Sequence, residues 1–304
     1  VQKIAVYPKK TVGMSSGFEF KGLELVPVEL ARPSSSARAD VVEKSGVRGG
    51  LVVILDGKDA DRIAEVVPSG PYVTQILLQD EKLIAETRKK LLERNVYGEV
   101  SVRRFDGRAL PYVDNLANVV IVTKSFHVPR EELMRVLAPR GALLVPKGVE
   151  DTLPDTASPL ADGDWFAHHK PVPAETDEWT HFRYDATGNM VSQDTRIAPP
   201  RYTQWISGPR FQRHHGMIPS ITASVTSGGR IFCMIDEAPN GFVGLPEQWH
   251  VVARDAHNGV LLWRRPCAQI PPHTLVADGD RVYVTLTKRG PLSILDAATG
   301  ETLH

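Results

Sequence analysis

Apolar runs and amphipathic stretches alternate along the chain from Gly49 to Val145. Gly49-Gly-Leu-Val-Val-Ile-Leu55 is a continuous apolar run, the pattern of a strand buried on both faces. The spacing after it predicts a helix over Asp59–Val67, a strand over Tyr72–Leu78 and a long helix over Glu81–Arg94. In that helix Leu83, Ile84, Thr87, Leu91 and Leu92 fall near one face, with charges opposite. Val100-Ser-Val-Arg103, Val119-Val-Ile-Val122 and Ala142-Leu-Leu-Val145 predict three more strands, and Arg130–Leu137 an intervening helix. Strand and helix in alternation argue for a parallel, doubly wound α/β sheet over residues 40–148. Residues 1–39 are left as an N-terminal extension.

Further on, the chain repeats itself. Arg230-Ile-Phe-Cys233 and Val252–Trp263 correspond to Arg281-Val-Tyr-Val284 and Ser293–His304, and Asp255, Ala256, Gly259 and Leu262 recur 41 positions later as Asp296, Ala297, Gly300 and Leu303. A period of about 40 to 50 residues is the size of one propeller blade. Each unit reads as a hairpin whose Asp bonds its own downstream amides and whose Gly takes positive φ. The first copy carries an insertion around Glu237–Gln248, where Pro239-Asn-Gly and Leu245-Pro predict a surface loop.

The repeats resemble those of pyrroloquinoline-quinone (PQQ) β-propellers, through Asp278-Gly-Asp-Arg-Val-Tyr-Val284 and Leu295-Asp-Ala-Ala-Thr-Gly300; His304 stands where that pattern has Trp. The resemblance implies the beginning of an all-β, partial PQQ-like propeller over residues 178–304. Two units do not close a propeller, and the chain begins at Val1, so it is expected to be part of a longer protein. Propellers of this kind favour an exported or periplasmic location.

The α/β part resembles class I S-adenosylmethionine (SAM) dependent methyltransferases. The resemblance rests on Phe105-Asp-Gly-Arg-Ala-Leu-Pro-Tyr-Val-Asp-Asn115 and on Glu131-Glu-Leu-Met-Arg-Val-Leu-Ala-Pro-Arg-Gly141, similar to a helix ending in Leu-x-Pro-Gly-Gly. It implies a SAM site at Gly57, Asp80 and Asp106. The site departs from the family at its centre. Asp56-Gly-Lys-Asp-Ala60 follows the first strand and keeps only Gly57 of a Gly-x-Gly-x-Gly turn, while apolar Leu78 ends the second strand where a ribose-binding carboxylate is expected. Asp80 substitutes only if the turn shifts, and Asp106 reads equally as a turn former. Asp114-Asn115 reads as an active-site lining or as a tight turn. A degenerate site of this kind is expected to bind SAM weakly or not at all.

Residues 149–177 form a polar, proline-bearing stretch and are expected to be a linker, with His168-His169 in a solvated loop rather than at a metal. The following segments resemble the propeller entrance of planctomycete-type fusions of methyltransferase-like and PQQ-like parts. Here Trp179, His181, Trp205, Arg210, Arg213, His214 and His215 read either as a polar, aromatic pocket at the propeller mouth or as staples between blades. Cys233 and Cys267 fit no metal spacing and read as small buried hydrophobes, or as a disulfide if their strands pair.

Charge narrows the partners: 36 basic against 36 acidic side chains leave no global field for nucleic acid or an anionic membrane, and no apolar run is long enough for a membrane span. The reading reached is a noncatalytic binding or scaffold protein, without a bound cofactor, that presents a ligand or protein surface on its propeller face. The enzymatic alternatives are a quinoprotein-type oxidoreductase using PQQ and a SAM-dependent methyltransferase.

Overall fold

The computed structural model describes residues 40–55, 67–123, 128–149, 153–161, 163–200, 202–208, 220–238 and 246–304, all within one compact unit, Ser35–His304. Its first half is a mixed seven-stranded sheet, built from β1 (Gly50–Leu55), β2 (Tyr72–Leu78), β3 (Val100–Arg104), β4 (Ala117–Val122), β5 (Leu137–Pro146), β6 (Ser158–Pro159) and β7 (Trp165–His169), in the order β3-β2-β1-β4-β5-β7-β6. The first five strands run parallel, with Ile54 opposite Ile76, Val52 opposite Val119 and Val119 opposite Ala142. Alternate residues feed two apolar layers. Val52, Ile54, Ile76, Leu78 and Val119 pack on one face with α1 (Asp40–Lys44) and α2 (Glu81–Glu93). Val53, Leu55, Leu77, Val120 and Leu143 pack on the other with α3 (Arg130–Val136). Burial on both faces is why these strands read as unbroken apolar runs.

Two expectations are corrected here. Helix α2 buries Ile84, Thr87 and Leu91, a spacing of three and four that holds one face, whereas Leu92, one step on, is 60% exposed. The stretch read as a linker supplies β6 and β7. Strand β7 runs antiparallel to β5, pairing Pro146 with Trp165 and Ala142 with His169, because Trp165, Phe166 and Ala167 add apolar surface to the sheet. His168 is therefore buried, its Nδ1 against Thr156 Oγ1 at 2.9 Å, while His169 Nε2 meets the Ser45 carbonyl at 2.8 Å. The two rings face opposite ways and share no partner. The helix expected over Asp59–Val67 lies almost wholly outside the described residues.

The second half is antiparallel. Strands β8 (Ile221–Ser227), β9 (Arg230–Asp236), β10 (Trp249–Asp255) and β11 (Leu261–Pro266) form a four-stranded meander, and β12 (Val276–Asp278), β13 (Arg281–Thr285) and β14 (Leu292–Asp296) a three-stranded one. The repeat holds atom by atom. Asp255 Oδ1 accepts from the amides of His257 and Asn258, and Asp296 Oδ1 from those of Ala298 and Thr299. Gly259 and Gly300 each stand at φ 73°. Each carries an indole where a Cβ would go: the Trp205 ring covers Gly259 with Nε1 donating to Ala256 O (3.0 Å), and the Trp263 ring covers Gly300 with Nε1 donating to Ala297 O (3.0 Å). These are two successive units of one repeat, and neither sheet closes on itself among the described residues.

The insertion between β9 and β10 is pinned at its base, where Glu237 N donates to Gln248 O and Asp236 Oδ1 takes the amides of Ala238 and Gln248. Both thiols are free; Cys233 is opposite Val252 in the ladder and Cys267 N bonds Trp249 O, so their strands do not bring them together. No helix among the described residues is long and apolar enough to cross a membrane.

The repeat sits against the N-terminal edge of the parallel strands. Asn118, at the start of β4, donates to Asp255 Oδ2 (2.6 Å) and accepts from the Leu51 amide (2.8 Å) and from Asn258 Nδ2 (2.6 Å), which also reaches Leu116 O. At the opposite edge, where the strands end, the described residues that line the space beyond β2 and β3 include none from these sheets.

Candidate functional site

Ligands of open α/β sheets bind outside the carboxyl ends of the strands. At that edge, beyond β2 and β3, lies a cavity of about 630 Å³ lined by Gln79, Arg104, Phe105, Asp106, Ala109 and Pro111. Its wall is held from beneath. Phe105 N donates to Leu78 O (2.8 Å) and its ring is buried in the apolar layer. Asp106 then turns the chain, Oδ1 accepting from the Arg108 amide (3.0 Å). The side-chain amide of Gln79 lies over Gly107, in the space a Cβ would fill. Asp106 thus makes the turn and also lines the cavity.

The loop behind this wall is fastened by α3. Glu132 Oε1 accepts from the Leu110 amide (2.6 Å), and Arg135 donates to both Glu132 oxygens, to Asp114 and to the carbonyls of Tyr112 and Leu110. Hydrogen bonding from Arg135 is the main cause that holds the Glu132 carboxyl below its ordinary range. Tyr112 donates to Gln75 Oε1 (2.6 Å), and burial pushes its hydroxyl pKa up. Asp114 and Asn115 belong to this support, at the turn into β4, and not to the cavity. Asn115 takes φ 58° and accepts from Lys170 Nζ (2.7 Å).

Of the described residues singled out in the sequence for a cofactor, Asp106 alone lines the cavity. Leu78 is fully buried. Asp80 caps α2, accepting from the Leu83 amide at 2.8 Å. Gly57 lies outside the described residues. Gln79 and Arg104 were missed, although Gln79 stands beside the position where a carboxylate is expected; Arg104 also meets Glu81 at 3.2 Å in an exposed pair.

The second candidate group does not converge among the described residues. Trp179 exchanges bonds with Thr226 through its amide (2.8 Å) and carbonyl (2.7 Å), and its ring meets Tyr184 edge-on at 5.4 Å. Thr180 O accepts from Ala277 N, so this segment stitches β8 to β12. His181 Nδ1 contacts Thr180 Oγ1 (2.8 Å), and Trp205 has its own seat on Gly259. Arg210, Arg213, His214 and His215 lie outside the described residues. Among the described residues no three His, Cys, Asp or Glu side chains are grouped to hold a metal.

No protein-family model matches the chain. It is 28% identical over 199 residues to the ubiquinone/menaquinone biosynthesis C-methyltransferase UbiE of Azotobacter vinelandii, a match covering 60% of this chain and 75% of that one. Among solved structures, a SAM-dependent methyltransferase from Aquifex aeolicus superposes with TM-score 0.34 and 16% identity over 43% of this chain and 87% of its own. A putative SAM-dependent methyltransferase from Methanococcus maripaludis gives 0.32 and 14% over 36% of this chain; the match spans 52%, about half, of that protein. The sheet order and the sequence likeness together make the N-terminal half a methyltransferase-like, Rossmann-like domain.

Proposed function

We propose that this chain binds SAM in the cavity at the ends of β2 and β3 and serves as a SAM-dependent methyltransferase, with the start of a PQQ-like propeller carried on the opposite edge of the sheet. The observation behind this reading is the cavity itself, where Gln79 and the Asp106-Gly107 turn face one space at the strand ends. The likeness to a C-methyltransferase supports it. SAM supplies the methyl group when bound. The chain's part would be to hold it: the Gln79 side-chain carbonyl would accept from a ribose hydroxyl, and Asp106, with one oxygen left over from its turn, would accept from the adenine amino group. Phe105 gives the floor its apolar character. An amide in place of a carboxylate forgoes charge assistance, a difference of about 1.4 kcal/mol or about tenfold in affinity.

Calorimetric titration with SAM tests this. Saturable binding is expected, weakened by Asp106→Ala and tightened about tenfold by Gln79→Glu. Absence of heat for both the native chain and Gln79→Glu at millimolar SAM would overturn the proposal. That result would favour a second reading, a cofactor-free scaffold, for which the buried Leu78 and the capping role of Asp80 already argue.

A further inference from the structure

A larger hollow lies at the other edge of the sheet, where the methyltransferase-like half meets the first repeat. It measures about 800 Å³, within the range of about 300 to 1,000 Å³ usual for small-molecule sites, which favour domain junctions. A side hollow of about 300 Å³ shares Arg140, Glu178, Arg230 and His257 with it. Its lining carries five cations, Arg135, Arg140, Lys170, Arg196 and Arg230, against Asp114, Asp177 and Glu178.

The acids are already engaged. Asp177 accepts from Ser192, Tyr184 and the Gln193 amide. Glu178 accepts from Ser227 Oγ (2.8 Å) and the Gly228 amide (2.7 Å), with Arg140 at 3.3 Å. Asp114 is taken by Arg135. The cations are less well matched. Among the described residues Lys170 Nζ donates to neutral oxygens, those of Asn115, Met134 and Leu137. Burial lowers its pKa, Asp114 opposes this, and Arg196, which lines the same hollow, lowers it further. Arg230 has Asp280 at 3.5 Å, and that carboxylate is 90% exposed. His257 is held below its ordinary range by burial, with Lys170 and Arg140 adding to the effect against Asp255. It therefore lines the hollow as a neutral donor and acceptor.

Arg140 is held where a side chain is disfavoured. Its φ is 67°, in the left-handed region, at a position where the resembled Leu-x-Pro-Gly-Gly ending has Gly. Strained backbone of this kind clusters at functional sites. The guanidinium lines the hollow and meets Glu178 at 3.3 Å.

We propose that this junction hollow is a binding site for a small polyanion bearing phosphate or several carboxylates, gripped by Arg140, Arg196 and Arg230, with His257 contributing a hydrogen bond. Planar guanidiniums match such oxygens two at a time. The ligand would bridge the two halves of the chain, touching Arg140 on one side and Arg230 and His257 on the other. This site is independent of the cofactor cavity, which lies at the opposite ends of the strands.

The test is thermal melting and calorimetry of the chain with inorganic pyrophosphate in one arm and citrate in the other, at matched ionic strength. A saturable rise in Tm with at least one is expected, and the tighter arm identifies the phosphate or the carboxylate source. Arg140→Gly keeps the left-handed turn while removing the guanidinium, so it should fold at least as well as the native chain yet bind about tenfold more weakly. Arg196→Gln, an exposed change, should weaken binding with no change in the ligand-free Tm. No saturable rise with either anion, or a rise unchanged in both variants, would overturn the assignment.

Discussion

Replacing Asn118 by Ala should remove the polar hub that joins the sheet to the repeat. Asn118 is 8% exposed and Asp255 5%, so water does not readily replace what is lost. The truncation strips the Leu51 amide of its acceptor and Asp255 Oδ2 of its donor, while Asn258 keeps Leu116 O. A buried amide without a partner costs about 1 to 3 kcal/mol and a lost bond to a charged group about 1.5 to 3, so the expected total is about 3 to 5 kcal/mol. Acidification should reduce this penalty. Burial raises the Asp255 pKa above its unfolded value, and the Asn118 bond opposes that rise. A carboxyl with a raised folded pKa stabilises most below its unfolded pKa and loses that contribution as pH climbs through the folded one. Without Asn118 the folded pKa moves higher, so the variant loses more at neutral pH than near pH 4. Urea denaturation followed by indole fluorescence and far-ultraviolet dichroism reads both effects. A neutral-pH loss under about 1 kcal/mol, or a loss that grows on acidification, would refute the hub. Gly50 supplies a second check, since a Cβ there would occupy the place of Asn118 Oδ1: Gly50→Ala combined with Asn118→Ala should cost less than the sum of the two single losses because that clash is gone, while the strain of a side chain at φ 108° remains.

Two other outcomes are expected. In the repeat, Trp263→Ala should cost about 3 to 5 kcal/mol in denaturation, and Trp205→Ala less, because Trp263 is buried and Trp205 only half-buried; Gly300→Ala should match the larger loss, its new Cβ lying 2.6 Å from the Trp263 ring, and an equal effect of the two Trp changes would count against the graded burial. In the loop support, Arg135 depresses the Glu132 pKa, so its stabilisation is present above the unfolded value near 4.5 and lost as pH falls through the lower folded one; Glu132→Gln should flatten the acid limb of the stability curve below that value, and a limb as steep as the native one would exclude this ion pair as its source.

Much of this architecture can be read from the residues because its strands are buried on both faces. Tyr72–Leu78 is bounded in the fold as its apolar run suggests, and the Asp-Ala-x-x-Gly turns coincide because Asp255 and Asp296 bond locally. Local chemistry is visible in sequence. Strand β7 escapes notice since only Trp165-Phe-Ala167 is apolar and a His pair with prolines follows. Its place depends on pairing with β5, which no local pattern encodes. Glu132 and Arg135 look like an ordinary solvated helix pair, yet they fasten a loop whose ends are defined only by the fold.

The candidate site was less legible for the same reason, sharpened by a departure at its centre. Expecting a carboxylate at Leu78 draws attention to the next acid along, Asp80, but a residue three positions before Leu83 at a helix start is chemically an N-cap, and that local bond wins. Gln79, polar yet uncharged, has no such local use and is left to face the cavity. The junction hollow goes further: Arg140, Arg196, Arg230 and His257 are scattered over more than a hundred residues, and the docking of the repeat on the sheet, through Asp255 on Asn118 and Glu178 on Ser227 and Gly228, gathers them. Since the Asn118–Asp255 bond is one of the two polar ties that close this junction, the other being Glu178 between Arg140 and Ser227-Gly228, Asn118→Ala should weaken pyrophosphate binding while leaving SAM binding at the far strand ends intact. Equal loss of both ligands would mean that the variant had simply unfolded, and the denaturation curve measured alongside separates the two cases.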